Sequence, residues 1–360
     1  MTWKCTNTPK GENKLYSDAK GVVPSLDLRF AEGKNLNDYM TGQNLITFSR
    51  PVGANQSPGT YVDENGIIQL SSADQPRFDH DPTTGESLGL LVEESRTNIL
   101  LNSATLSTQS VTTSATAYTL SFYGTGTVTL SGTSTAGPLV GTGANDRVTL
   151  TFTPTAGTLT LTVTGTVSNA QLEAGSFPTS YIPTTGTALT RSADDASITG
   201  SNFNSIYNTN ASTIFFRGNV TAGPAGAYAV ASIQKQGAGR QNSVVLSRRD
   251  SAGSRFNHYE STPPGIYNID IDINGPLWID NSYRSIAAAI GPVSAAFADS
   301  GSLVGTDTSY QVPSSADGLD ILRLGAGEGG GLNSYNCHIS RLTYFPERLP
   351  DSSLQTMTTP

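Results

Sequence analysis

Apolar residues recur at every second position over much of this chain, the period of a strand with one face against a core. Leu26, Leu28 and Phe30 alternate with charged neighbours, and Leu45, Ile46 and Phe48 form a second short run. Thr60-Tyr61-Val62 and Ile67-Ile68-Gln69-Leu70 flank Asp63-Glu64-Asn65-Gly66. Asn-Gly between two β-rich runs predicts a hairpin. The alternation is cleanest in residues 99–187. There Val148, Leu150 and Phe152 interleave with Thr149, Thr151 and Thr153, and Leu159, Leu161 and Val163 with Thr160, Thr162 and Thr164. Each strand then has one apolar face and one threonine face, and two sheets of this kind press their apolar faces together. Further strand-like runs fall at 213–220, 227–234, 243–248, 265–273, 319–324 and 338–345. Their spacing is that of an antiparallel sandwich with Gly or Pro turns. A short terminal helix is expected after Pro350, capped by Asp351. No fixed period repeats along the chain, which excludes a solenoid.

Length divides the chain further. Its 360 residues are too many for one small core, so two or three domains are expected. Residues 1–24 mix Lys, Asn, Gly and Pro without hydrophobic period and read as an arm, either disordered or docked into a neighbour. Residues 25–98 read as a small β anchoring region, 99–187 as one sandwich and 188–360 as a larger one. Charged residues are 14% of the chain, against ~25% in ordinary globular domains, and 37 glycines and 19 prolines suit many short turns. A net charge of −8 excludes a phosphate-binding surface, so no nucleic-acid partner is expected. Between Asn98 and Glu173 only Asp146 and Arg147 are charged. Strand edges there lack the lysines that block edge pairing, so another module or subunit is expected to cover some of them. Residues 1–20 lack the apolar stretch of a signal peptide. No run of ~18 apolar residues occurs, so no membrane span is expected and folding in a cytoplasm is. Cys5 and Cys337 have no CxxC spacing; nothing demands a disulfide, and two free thiols are expected.

Candidate chemistry is sparse. His80 lies between Asp79 and Asp81, but neighbours on a strand point to opposite faces, so His80 and Asp79 are not expected to converge; the aspartates read as acceptors for local backbone N–H groups. His338 begins a strand and reads as a surface or packing residue, and no G-x-S-x-G elbow supports a triad. Glu93-Glu94 with Arg96 reads as ion pairing at a domain junction, not as a glycosidase acid pair, which needs two carboxyls across a cleft. Residues 325–331 are glycine-rich but lack the Lys-Ser/Thr of a phosphate loop. Asp270 and Asp272 share a strand face, though Ca²⁺ needs more oxygens than one strand offers. No cofactor, metal site or catalytic residue is expected. For a sugar, an aromatic ring with nearby amides and acids is the useful composition. Trp278, Asp280, Asn281 and Tyr283 have it in a loop-like stretch, with Tyr267 as a weaker candidate.

Several stretches resemble bacteriophage tail-fibre and other virion proteins. Arg77-Phe78-Asp79-His80-Asp81-Pro82 followed by 87–98 looks like a junction of such proteins. Residues 170–184, with Gln171-Leu172-Glu173 and Ser180-Tyr181-Ile182-Pro183, resemble the exit of a jelly-roll carbohydrate-binding module. Ile339 to Pro346 and Arg348 to Asp351 are similar to the close of a concanavalin A or laminin G-like domain. The resemblance covers roughly 25–360 and implies an all-β fold of tandem antiparallel β-sandwich modules: a jelly-roll-like 99–187 and a concanavalin A/laminin G-like 188–360. It also implies a non-catalytic virion structural protein, assembled in the host cytoplasm. Such a protein attaches to host-surface glycans, binds other virion proteins through its N-terminal region and is a homo-oligomer, a trimer first. Two rivals stay open: a capsid decoration or tail-assembly protein without a host ligand, and a polysaccharide-cleaving enzyme. Tailspikes that cut polysaccharide carry a long β-helix with paired carboxylates, and neither is visible in this sequence.

Overall fold

A computed structural model describes residues 12–220, 227–237, 243–249, 253–259, 267–272, 282–310, 318–326, 332–333 and 336–360. Regular structure is nearly all β, as the alternation demands, and it forms two sandwiches. In the larger one, the first sheet runs in the order Ser302–Asp307, Ser294–Asp299, Tyr283–Gly291, Ser212–Val220, Cys337–Phe345, Ser87–Val92, Arg77–His80. Leu26–Leu28 also pairs with Cys337–Phe345, beyond the end of Ser87–Val92. The second sheet runs Thr47–Ser49, Asp195–Thr199, Ile321–Leu324, Ala227–Gln234, Ser243–Arg249, Gly253–Tyr259, Tyr267–Asp272. One core fills the space between them, with Ile214, Phe216, Ile286, Phe297 and Leu342 from the first sheet and Ile198, Leu246, Phe256 and Leu322 from the second.

Strand alternation explains both faces of the first sheet. Ile214 and Phe216 point into the core, while Phe215 joins Ala287, Ala289, Ala296 and Ala298 on the outer face. Those alanines leave room for two helices to lie close. Leu354 and Met357 of Asp351–Thr358 pack there, together with Leu15 and Ala19 in and just after the helix Glu12–Asp18. This corrects the reading of 1–24 as an arm without structure of its own. Its second half docks on its own chain, and Tyr16 is tied to Asp27 by a 2.5 Å hydrogen bond; residues 1–11 lie outside the described residues. Asp351 does not cap the last helix. Pro350 is the capping residue, and the Asp351 carboxylate accepts from Arg348 instead.

The expected boundary at residue 98 is also revised. Leu26–Leu28, Thr47–Ser49, Arg77–His80 and Ser87–Val92 are strands of the same two sheets as 195–345, not a separate anchoring region. The smaller sandwich is an insertion in this larger one. Its entry strand Arg96–Asn98 pairs antiparallel with its exit strand Leu189–Arg191. Four strands (Leu139–Val140, Thr127–Gly132, Gly157–Thr164, Gln109–Thr113) face three (Gly143–Phe152, Tyr118–Gly124, Val167–Ala174). Apart from the hairpin of Thr127–Gly132 with Leu139–Val140, consecutive strands alternate between the sheets, the wrapping that a jelly roll shares. Leu120, Phe122, Val128, Leu130, Leu159, Leu161 and Leu172 form its separate core. The threonine faces divide. Thr112, Thr129, Thr158 and Thr162 on the four-stranded sheet are exposed, as expected. On the three-stranded sheet Thr119, Ser121, Gln171 and Glu173 are buried, and the cover is the chain's own 175–180 segment: Thr119 donates to Gly175 O and Thr179 to Glu173. No helix among the described residues is long and apolar enough to cross a membrane.

One glycine decides how the edge strand is set. Gly89 has φ +95°, and a Cβ there would meet Ile339 O at 2.2 Å. It faces Asp79 where the pairing of Arg77–His80 with Ser87–Val92 shifts register. Gly89→Ala should therefore cost about 1–3 kcal/mol through backbone strain alone, read as a lower urea midpoint at unchanged slope.

Candidate functional site

Beside the register shift, whose extra residue Leu88 is on the neighbouring strand, Asp79 and His80 both reach the hairpin Thr60–Val62/Ile68–Leu70. Asp79 Oδ1 accepts from Val62 N at 2.6 Å, and His80 Nδ1 meets Val62 O at 2.9 Å. The expectation that the two would not converge is thus corrected. Asp81 behaves as expected, accepting from Thr83 N and Thr84 N. His338 is more than a packing residue: its Nε2 lies 2.8 Å from Asp79 Oδ2 and its Nδ1 2.9 Å from Asn219 Oδ1. This pairing fastens the edge strand across Ser87–Val92 to Cys337–Phe345.

These groups wall a cavity of about 230 Å³ between the two sandwiches. The larger sandwich contributes Tyr61, Asp79, His80, Leu88, Glu93 and His338; the insertion contributes Tyr123, Arg147 and the segment Pro178 to Tyr181. Arg147 donates to Thr179 O at 2.6 Å and to Ser121 Oγ at 2.8 Å. Burial pushes the Tyr123 and Tyr181 phenols up, so both stay neutral.

Behind the cleft lies a buried ionic network. Arg50, Arg77, Arg191 and Asp194 are almost wholly buried and Glu93 is 3% exposed. Asp194 accepts from Arg50 Nη1 at 2.8 Å, Arg77 Nη2 at 2.6 Å and Glu93 N at 2.8 Å. Glu93 takes Arg77 Nη1 at 2.7 Å, Ser180 N at 2.7 Å and Ser180 Oγ at 2.6 Å, with Arg191 Nε at 3.5 Å. Burial alone would raise the Glu93 carboxyl. The Arg191 and Arg77 guanidiniums and the two Ser180 hydrogen bonds overcome it and hold the group well below the usual carboxylate range. The junction reading of the acidic pair holds in form: Glu94 pairs with Arg96, while Glu93 pairs with arginines the sequence places far away. Glu173, also fully buried, has no arginine in contact, and burial raises its carboxyl.

No protein-family model matches the chain, and neither does any curated protein. Among solved structures, partial overlaps each span 44% of this chain. The CBM40 of the Ruminococcus gnavus IT-sialidase overlaps at 14% identity and TM-score 0.38, over 88% of its own length. NanB sialidase of Streptococcus pneumoniae overlaps at 18% identity and TM-score 0.38, and a leech intramolecular trans-sialidase at 14% and 0.38. The chain spans about a quarter of the NanB and leech chains, 26% and 24%. At these scores nothing about the cleft follows from the overlaps.

Of the residues singled out for sugar binding, Tyr283 alone is fully described. Trp278, Asp280 and Asn281 lie outside the described residues, and Tyr267 is on Tyr267–Asp272 with its side chain outside them. Tyr283 is 39% exposed and donates to Leu88 O at 2.9 Å. Since Leu88 lines the cavity, Tyr283 stands beside the cleft rather than in it. Asp270 and Asp272 sit on Tyr267–Asp272, again with side chains outside the described residues. Most of the glycine-rich stretch 325–331 lies outside them too, as does Cys5. Cys337 is a free buried thiol that burial pushes up, out of reach of reactive chemistry. Among the described residues, no three His, Cys, Asp or Glu side chains gather as metal ligands would.

Proposed function

We propose that this protein is a non-catalytic attachment protein that holds a glycan in the cleft between its two sandwiches, as part of a bacteriophage tail fibre or similar surface appendage. The observation that carries the binding reading is the state of the acids at the cleft. Most glycosidases use one protonated carboxyl as general acid and a second carboxylate across the bond. Glu93 is fixed as a carboxylate by two guanidiniums, and both oxygens of Asp79 are occupied, by Val62 N and His338. Tyrosine rings and hydrogen-bonding groups fixed by buried partners suit holding a ligand instead. The particle setting, a trimeric state, N-terminal contacts with other virion proteins and assembly in the host cytoplasm rest on the resemblance of residues 77–98, 170–184 and 339–351 to virion proteins.

Incubating the full chain with host-surface polysaccharide tests the reading. Retention of the protein on the polysaccharide with no shorter products is the expected result, unchanged by EDTA; specific shortening of the chains contradicts it. Gold-labelled antibody on purified particles separates the settings. Label on the tail or fibres agrees with attachment, and label spread over the capsid favours decoration.

A further inference from the structure

The cleft does not end at Tyr123. A second cavity of about 260 Å³ adjoins the first, and Val62, Ile68, Pro82 and Tyr123 line both. The order of residues along the two walls shows how the cavities are joined. On the hairpin, Thr60 and Tyr61 at its base line the first cavity, and Gly66 and Ile67 at its tip line the second. On the facing strand Gly143–Phe152, Arg147 lines the first, and Ala144 and Asn145 line the second. Both walls run in the same order, so the two cavities are successive lengths of one trough. Neither alone reaches the ~300–1,000 Å³ usual for ligand pockets, and together they do.

Irregular strand pairing builds the second length. Tyr118–Gly124 is the middle strand of its sheet, and its pairing slips on both sides beside Tyr123. On one side Gly124 and Phe122 face Gly143 and Val148, so residues 144–147 bulge opposite Tyr123. On the other side Tyr123 faces Ser168 and Ser121 faces Gln171, so Asn169 and Ala170 stand together against Phe122. Each bulge carries an asparagine that lines the second cavity: Asn145, which is exposed, and Asn169, held at φ +48°. Bulges re-aim side chains and are common beside active sites. An amide both donates and accepts, as recognition of a sugar hydroxyl needs. Ile67, 56% exposed, adds an apolar surface, and no residue lining the second cavity is charged. We infer, on the basis of the glycan reading above, that the trough holds at least two consecutive sugar residues, with an uncharged one in the second cavity and Asn145 and Asn169 at its hydroxyl groups.

The test is titration calorimetry on the full chain. The probes are size-fractionated fragments from partial acid hydrolysis of host-surface polysaccharide, down to the monosaccharides, and oligomers of a uronic acid. A disaccharide or longer fragment should bind more tightly than any monosaccharide by about tenfold or more. Asn145→Ala changes an exposed position, and Asn169→Gly keeps the left-handed backbone while removing the amide. Each should weaken binding of the longer fragments by about three- to tenfold, the worth of one hydrogen bond. Fragments held no more tightly than monosaccharides, or held equally by both variants and the unmutated chain, overturn the trough while glycan attachment stands. Tighter binding of the uronic-acid oligomers than of every neutral fragment overturns the uncharged second residue. Failure of the chain to hold any fragment or the parent polysaccharide overturns this inference together with the proposed function.

Discussion

Replacing Asp194 by asparagine should destabilise the larger sandwich by about 3–5 kcal/mol, the usual cost of removing one partner from a buried ion pair. Asp194 is the carboxylate on which Arg50 and Arg77 converge, one on each oxygen. An asparagine keeps one oxygen and turns an NH₂ donor toward the second guanidinium. Only Glu93 would then face the positive charges of Arg50, Arg77 and Arg191, all of them almost fully removed from water. The loss would not stay local. Arg50 also donates to Pro58 O at 2.7 Å and Ser71 Oγ at 2.6 Å, and Arg77 to Thr60 O at 3.0 Å and Ser180 Oγ at 2.7 Å. The hairpin, the edge strand and the exit of the insertion thus hang on one cluster. Urea unfolding of Asp194→Asn against the unmutated protein measures the effect. A loss below about 1 kcal/mol would mean that these charges are hydrated rather than paired.

Acid should unfold the protein through the same cluster. Glu93 is held far below its ordinary pKa, and Asp27 is lowered as well. Burial would raise Asp27, but it accepts two bonds from Arg341, one from Arg29, one from Tyr16 and one from Thr343, and the guanidiniums win. A carboxyl whose folded pKa is depressed binds its proton more readily in the unfolded chain. Its contribution to stability is complete above the unfolded value of ~4.3 for Glu and ~3.9 for Asp, and is lost as pH falls through the folded value. Glu173 runs the other way: burial raises its carboxyl, so its contribution is complete below the unfolded value and declines as pH rises through the folded one. With two strongly paired acids against one buried acid, stability should fall steeply below pH ~4. Glu93→Gln should lower stability at pH 7 by about 3–5 kcal/mol and flatten the acid limb. An acid limb equally steep in both proteins would show that Glu93 is not the group responsible.

Much of the fold can be read locally, because a strand's faces are written in adjacent residues. Leu159, Leu161 and Val163 against Thr160, Thr162 and Thr164 announce a half-buried strand, and Asp63 to Gly66 announces its hairpin. Other strands hide. Ala287, Ala288 and Ala289 have weak β propensity, yet they sit in the middle of Tyr283–Gly291 because both faces of that sheet are covered and one must accept helices at close range. The insertion of 99–187 leaves no local mark either. It shows only when Arg96–Asn98 and Leu189–Arg191 are seen to pair. The site was the least legible part. Arg50 meets Asp194 across 144 residues and His338 meets Asp79 across 259, separations at which no spacing rule operates. Reading 278–283 for its sugar-binding composition, by contrast, found residues of the right kind with no means of telling which cavity they serve. The usable signal for the true junction was weaker: Arg77, Glu93 and Asp194 are charges in stretches otherwise rich in apolar strand residues, and a charge on a buried strand requires a partner.

The most direct test of glycan attachment through a non-catalytic cleft is binding of the full chain to an array of immobilised glycans. The account predicts that a subset of the glycans is retained and that every retained glycan stays intact. Retention of no glycan, or retention followed by shortening of the bound chains, would contradict it.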